Sequence, residues 1–486
     1  MKKINFLSIS LCFMVALATS SSALAQASMV KDINVGNLSS APSALTVFNG
    51  KLYFNANDGV NGYELWQHDG TTTSLVADIN VGTNHSAPSY LTVFNGKLYF
   101  VATDGVHGRE LWQYDGTTPS LVKDINFGGA NASPSDLIVY KGKLYFSATN
   151  GVSGLELFEY DGTTVSLVAD INMGAADCWP SFFTVLGSKL YFSGNDGVNG
   201  RELWQYNGTT VSLAADINVG NGSSNPLYSI VFNGKLYFRA NGGSNGEELW
   251  QYDGTTAALV ADINGGSGGS LLSNLKVYNN KLYFNAEDGV HGAELWQYDG
   301  TTASLVTDIN AGNWSSHPTS LTVFNGKLYF GADDGVHGGE LFEYNGSTTS
   351  LAADINVGAI GSNAGFYPSN IATYNGKLYF GAEDGVHGRE LWQYDGTTSI
   401  KEVSTNSFTI HPNPTQDILT IASSEKLNSI TIYTINGQVV TTIATPTENA
   451  RLPAGTEVNV SKLAKGIYLI EVQTDKGVSQ TKFVKE

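Results

Sequence analysis

Apolar residues in this chain run in short consecutive blocks, not on alternate positions, and the blocks are separated by turn-forming pairs. One stretch shows the pattern. LTVF at 91–94 is followed by Asn95-Gly96, then KLYFVA at 97–102 and the loop DGVHG at 104–108. ELWQY at 110–114 comes next, then Asp115-Gly116 and SLVKDI at 120–125. Asn-Gly and Asp-Gly between apolar runs mark tight hairpins, because these residues tolerate positive φ. Substitutes at the same places keep that property: Asn279-Asn280 in the first turn, Asn207-Gly208 and Asn345-Gly346 in the last. The spacing therefore predicts a unit of four antiparallel strands. Strands apolar at consecutive positions are buried on both faces, so each sheet must lie between two others.

The unit recurs. The triplet LYF begins at Leu52, Leu98, Leu144, Leu190, Leu236, Leu282, Leu328 and Leu378, a step of 46 residues six times and 50 once. A period of this length indicates a solenoid, an array or a propeller. The ends choose between them. Residues 29–34, MVKDIN, match the fourth strand of the unit (75–80, LVADIN), and the last unit stops after 390–398 (ELWQYDGTT) without one. The expected fold is all-β: an eight-bladed β-propeller over 28–398, closed by an N-terminal strand. Its last blade combines 29–33 with three strands from 370–395. The short turns fall on one side of the ring. The DGVHG loops and the long inter-blade loops, such as 80–89, share the other, where binding is expected. After a linker at 399–407, residues 408–486 lack the repeat and alternate strands with Gly and Pro turns, which predicts a small C-terminal β-sandwich.

Composition changes this picture in three ways. Lys2 and Lys3 before an apolar run and small residues at Ala23, Ala25 and Ala27 read as a signal peptide over 1–27. No other run is long enough to span a bilayer as a helix. Cys12 leaves with that signal, so Cys178 has no partner for a disulfide and reads as a small loop residue. The net charge is −18, and the seven basic and seven acidic residues from Thr405 onward cancel. The negative charge thus belongs to the repeats. It argues against nucleic acid and anionic lipid as partners and leaves neutral glycans, cationic groups and divalent cations.

Candidate chemistry is sparse. A glutamate opens the third strand of every unit: Glu64, Glu110, Glu156, Glu202, Glu248, Glu294, Glu340 and Glu390. Eight equivalent carboxylates read as structural acceptors for their own Gly-rich hairpins, since acid–base catalysis needs two carboxyls in different environments. The innermost strands offer one carboxylate, Asp136, which argues against glycosidase chemistry and predicts no enzyme. Loop Asp and Asn residues could hold calcium, but their spacing does not fit an EF-hand and Asx-turns explain them. No metal and no cofactor are expected. His107, His291, His337 and His387 alternate with Asn61, Ser153, Asn199 and Asn245 at one place in the repeat, so they do not converge on one ion. Trp66, Trp112, Trp204 and their equivalents read as packing between blades. Trp179, Trp314, Phe366 and Tyr367 interrupt inter-blade loops where sister units carry small residues, and are the candidate ligand-binding residues. The last two lie in the one interval that is four residues longer.

Two resemblances extend this reading. The recurring core, as in ELWQYDGT at 110–117, resembles the bacterial repeat family named for its ELWxxDGT motif, with Phe158, Phe342, Asn207 and Asn345 as mild departures. That likeness covers 29–398 and implies an extracellular propeller without a defined activity. The tail resembles the C-terminal sorting domain of type IX secretion substrates from Bacteroidota. It is carried by His411, Pro412, Asn413 and Pro414, by Gly437 in ITIYTINGQV, by Gly466 and Tyr468 in GIYL, and by Lys482 and Lys485 near the end. It implies type IX secretion machinery as partner and a secreted or outer-membrane-surface location. The expected function is a binding or adhesion module for a glycan or a protein. A polysaccharide-active enzyme or accessory subunit, and a structural surface-layer component, are the alternatives.

Overall fold

A computed structural model describes residues 27–356, 369–396, 408–423, 427–434, 439–444, 452, 455–474 and 477–486. The chain divides into two compact units, Ala25–Thr397 and a second one made of Thr398–Glu486 with Met1–Leu24. Residues 1–26, the linker, Phe366, Tyr367 and Gly437 lie outside the described residues. Among the described residues, no helix is long and apolar enough to cross a membrane.

Among its described residues, the larger unit contains eight four-stranded antiparallel sheets. In seven of them the strands follow one another in the chain, as in Ser89–Phe94, Lys97–Thr103, Arg109–Tyr114 and Pro119–Lys123. The eighth joins the two ends of the unit. Ser28–Lys31 pairs with Arg389–Tyr394, which continues to Lys377–Glu383 and Ser369–Tyr374. Ser28 lies opposite Gln393 and Met29 opposite Trp392. First strands of successive sheets pack on one another all the way round, and Ser369–Tyr374 returns to Ser43–Phe48. The result is a β-propeller.

Burial follows from this stacking. Leu98, Tyr99 and Phe100 are consecutive and all buried, because neighbouring sheets cover both faces. Each hydrophobic cluster straddles two sheets. Phe48, Tyr53 and Leu65 of one sheet meet Leu98, Phe100, Trp112 and Tyr114 of the next. The closing sheet obeys the same rule, since Tyr374, Tyr379 and Leu391 pack with Ile33, Leu52, Phe54 and Trp66. Each such fully buried Leu or Phe contributes about 1.5–3 kcal/mol relative to exposure.

One local feature departs from the sequence reading. First strands begin two residues earlier than the apolar run suggests, at Ser89 instead of Leu91. The register slips between Ser89 and Thr92, and Tyr90 between them has φ +54°.

In the smaller unit, Phe408–His411, Ile418–Ser423 and Thr456–Asn459 form one sheet. Val439–Ala444, Leu427–Thr434, Gly466–Thr474 and Gly477–Lys485 form the other. Leu419, Ile421 and Val458 from the first pack with Ile430, Ile432, Ile470 and Phe483 from the second in one core.

Candidate functional site

The repeated glutamates are buried and fully engaged. Glu64 accepts from the backbone N–H of Ile79 (2.9 Å), Asn80 (3.4 Å) and Ser86 (2.9 Å), and from Ser86 Oγ (2.5 Å). These donors belong to the inter-sheet loop after the fourth strand. The expectation that each carboxylate fixes its own Gly-rich hairpin is therefore corrected: the side chain reaches the later loop, because the third strand delivers it between the two. Glu390 is served by the other end of the unit, through Ile33 N (2.9 Å), Asn34 N (3.4 Å) and Ser40 Oγ (2.6 Å). Burial raises these carboxyls above their ordinary range and the donors pull them back only in part, leaving Glu110, Glu156, Glu294 and Glu340 at about 7.

The Gly-rich hairpins hold themselves. Asp104 Oδ1 accepts from Val106 N and His107 N (both 2.9 Å), and Asp104 Oδ2 meets His107 Nδ1 at 2.7 Å. Asn61 Nδ2 donates to Asp58 Oδ2 at 2.7 Å in the same way. His and Asn exchange freely here because each brings one nitrogen to the loop aspartate. The second glycine of the hairpin is needed for contact: a Cβ on Gly108, at φ +72°, would sit 2.2 Å from the Ala130 carbonyl oxygen of the adjacent loop. Among the described residues, no cluster of three or more His, Cys, Asp or Glu could hold a metal ion.

Cys178 is buried at the place where most sheets carry the glutamate-binding serine, and burial pushes its thiol up to about 12. Gly194 beneath it stands where sister sheets have alanine; a Cβ there would lie 2.9 Å from the sulfur. The cysteine thus fills space its neighbour vacates, and its raised pKa leaves almost no thiolate at neutral pH.

Trp179 and Trp314 are 56% and 70% exposed. They occupy different places in inter-sheet loops of different sheets, and no contact joins them. Trp179 has φ +56°, and its carbonyl oxygen accepts from Arg201 Nη2 at 2.7 Å. Phe182, three residues further on, packs edge to face on Tyr228 with ring centroids 5.3 Å apart. Arg239 lies over the Tyr228 ring, 5.2 Å from its centre. Neither Phe182 nor Tyr228 was singled out from the sequence. The available signal was a comparison of equivalent positions across the repeats, which vary widely at this column: Ala44, Tyr90, Asp136, Phe182, Tyr228, Asn274, Ser320 and Asn370.

The tail residues converge within their own unit. Asn413 Nδ2 donates to Lys482 O at 3.1 Å, and Val484 N donates to Asn413 Oδ1 at 2.9 Å. His411 ends the first strand of the unit, and Pro412 and Pro414 flank that clamp. Gly466 lies opposite Lys485, which is buried. Tyr468 stacks on Phe483 at 5.5 Å and donates to Ala464 O at 2.9 Å.

Residues 409–486 match the family described as the secretion system C-terminal sorting domain. Among solved structures, the chain is similar to PorZ, an essential bacterial surface component of the type IX secretion system of Porphyromonas gingivalis. Identity is 14% and the TM-score 0.32, over 91% of this chain and 75% of that one. It is also similar to the β-propeller domain of the trilobed protease from Pyrococcus furiosus, at 12% identity and TM-score 0.40 over 65% and 98%. Sqt1 from Saccharomyces cerevisiae is 11% identical, with TM-score 0.42 over 77% and 99%. No curated protein is similar to this chain in sequence. The sorting domain marks the chain for the type IX machinery and for export to the cell surface or the extracellular space.

Proposed function

We propose that this chain is an eight-bladed β-propeller of the ELWxxDGT-repeat kind, sealed by its N-terminal strand, that acts outside the cell as a binding or adhesion module for a glycan or a protein. The carrying observation is a contrast inside the repeat. Buried glutamates, hairpin aspartates and core aromatics recur from sheet to sheet, whereas the exposed rings of Trp179 and Trp314 occur once each. Packing that repeats does not require side chains that do not. Large exposed aromatics on loops are natural platforms for sugar rings or partner surfaces.

The reading assigns no catalysis and no cofactor. Its support is chemical: the inner strands carry a single carboxylate, Asp136, and the recurrent third-strand glutamates are committed to backbone donors, as at Glu64. The test is to probe glycan and surface-protein arrays with the full-length chain and with Trp179→Ala and Trp314→Ala. Binding that at least one variant loses, at unchanged melting temperature, is the expected result. Turnover of a polysaccharide would replace this reading with an enzymatic one, and self-association without binding would replace it with a surface-layer role.

A further inference from the structure

The eight sheets differ chiefly in the loops between them and where each inner strand begins. The second residue of that strand is left-handed in every sheet, with φ between 53° and 57°. On one half of the ring it is Asn274, Ser320, Asn370 and Ala44. On the other half it is Tyr90, Asp136, Phe182 and Tyr228. A left-handed backbone is unfavourable for a non-glycine residue and suits bulky side chains least. Glycine would remove that cost, and this chain has 55 of them, yet none stands at any of these eight places. At Tyr90, Phe182 and Tyr228 the backbone position and the side chain do not agree, whereas Asn274, Asn370 and Asp136 suit it; such conflicts gather at functional sites.

The two halves differ in chemistry. The small polar half is closed on itself: Asn274 Oδ1 accepts from Ser320 N at 3.3 Å, and Ser320 Oγ accepts from Asn370 N at 3.0 Å. The aromatic half is open, with Tyr90 44% and Tyr228 38% exposed. Asp136, Phe182 and Tyr228 touch in sequence over neighbouring sheets. Asp136 Oδ2 accepts from Phe182 N at 3.4 Å, Phe182 meets the Tyr228 ring, and Arg239 covers Tyr228 while paired with Glu247 at 3.2 Å. Arg201, held by the Trp179 carbonyl, places its charge near Asp136, and Asp136 in turn acts on Tyr90. Trp179 brings a further exposed ring to the loop that feeds Phe182.

We infer that this arc, Tyr90–Asp136–Phe182–Tyr228 with Trp179 and Arg201 beside it, is a binding site for an uncharged glycan. Aromatic faces stack on the C–H faces of a pyranose, and a carboxylate and a guanidinium between the rings accept from and donate to its hydroxyls. Acidic and basic groups alternate along the arc, so it offers no single-sign field for an ionic ligand, and the acidic repeats repel anions. The inference rests on the binding-module reading and gives it a place and a ligand class.

The test is calorimetric titration of the full-length chain with cellohexaose, xylohexaose, mannohexaose and maltohexaose, repeated on Phe182→Gly and Tyr228→Gly. At least one hexasaccharide is expected to bind. Each substitution is expected to weaken it at least ten-fold while the melting temperature holds or rises, since glycine relieves the left-handed strain. Asn370→Ala on the opposite half is expected to leave affinity unchanged. Glycan binding that survives both glycine variants but is lost in Trp314→Ala overturns the site and spares the binding-module reading. A protein ligand lost in Tyr228→Gly, with none of the sugars bound, overturns the ligand class. Failure to bind any glycan or protein overturns both.

Discussion

Ser86 and Ala132 occupy the same place in successive repeats and differ by one hydroxyl. Ser86 Oγ donates to Glu64 at 2.5 Å; at Ala132 only the backbone N–H reaches Glu110, at 3.0 Å. Restoring the hydroxyl with Ala132→Ser is expected to add about 1 kcal/mol, the worth of a typical intramolecular hydrogen bond, and to raise the calorimetric melting temperature. The converse, Glu64→Ala, strands three backbone donors in a buried site at about 1–3 kcal/mol each, and a steep drop in melting temperature is expected. Titration has a direction too. Glu110, Glu156, Glu294 and Glu340 bind protons in the folded state up to about 7, against an ordinary value of 4.5. Stability from these groups is full below 4.5 and is lost as pH rises through about 7. His107, His291, His337 and His387, raised by their hydrogen-bonded aspartates, add stability that is likewise lost on raising the pH. Turn aspartates such as Asp69 and Asp115, lowered to about 2 by the following threonines, lose their contribution only as pH falls from 3.8 toward 2. The melting temperature should thus peak near pH 5 and decline by pH 8; a peak at pH 8 would contradict the burial argument.

Among the elements, the N-terminal strand matters out of proportion to its length. Its partner Arg389–Tyr394 would otherwise be an exposed sheet edge, and Glu390 would lose the Ile33 and Asn34 donors. Deleting residues 28–34 is expected to lower the melting temperature strongly and to broaden unfolding, read by scanning calorimetry and by proteolysis within 369–396. This closure is legible in the sequence, because MVKDIN at one end and the unfinished unit at the other are complementary. The hairpins were legible for the same kind of reason: Asn-Gly and Asp-Gly encode positive φ locally. The left-handed residue near the start of each inner strand was not. Tyr and Phe carry no local preference for φ near +55°, so only the ladder on one side and the neighbouring sheet on the other impose it at Tyr90, Phe182 and Tyr228. The candidate site shares that limit. Trp179 stood out as an oversized loop residue, whereas Phe182 and Tyr228 read as ordinary strand aromatics.

For the molecule as a whole, the sorting domain predicts fate. Removing residues 408–486 in a host with type IX secretion is expected to retain the propeller inside the cell, visible by fractionation. Asn413→Ala, which opens the clamp on the last strand, is expected to reduce export in the same assay. What the amino-acid order determined by itself was whatever is written locally or by repetition: strands, turns, the period, the complementary ends and the export tail. Tertiary structure alone decided which loop each buried glutamate serves and which side chains meet at the start of the inner strands. Both depend on residues tens of positions apart arriving at one place. Side chains from four successive repeats become neighbours only when the sheets stack around a common centre, and no local pattern along the chain encodes that meeting.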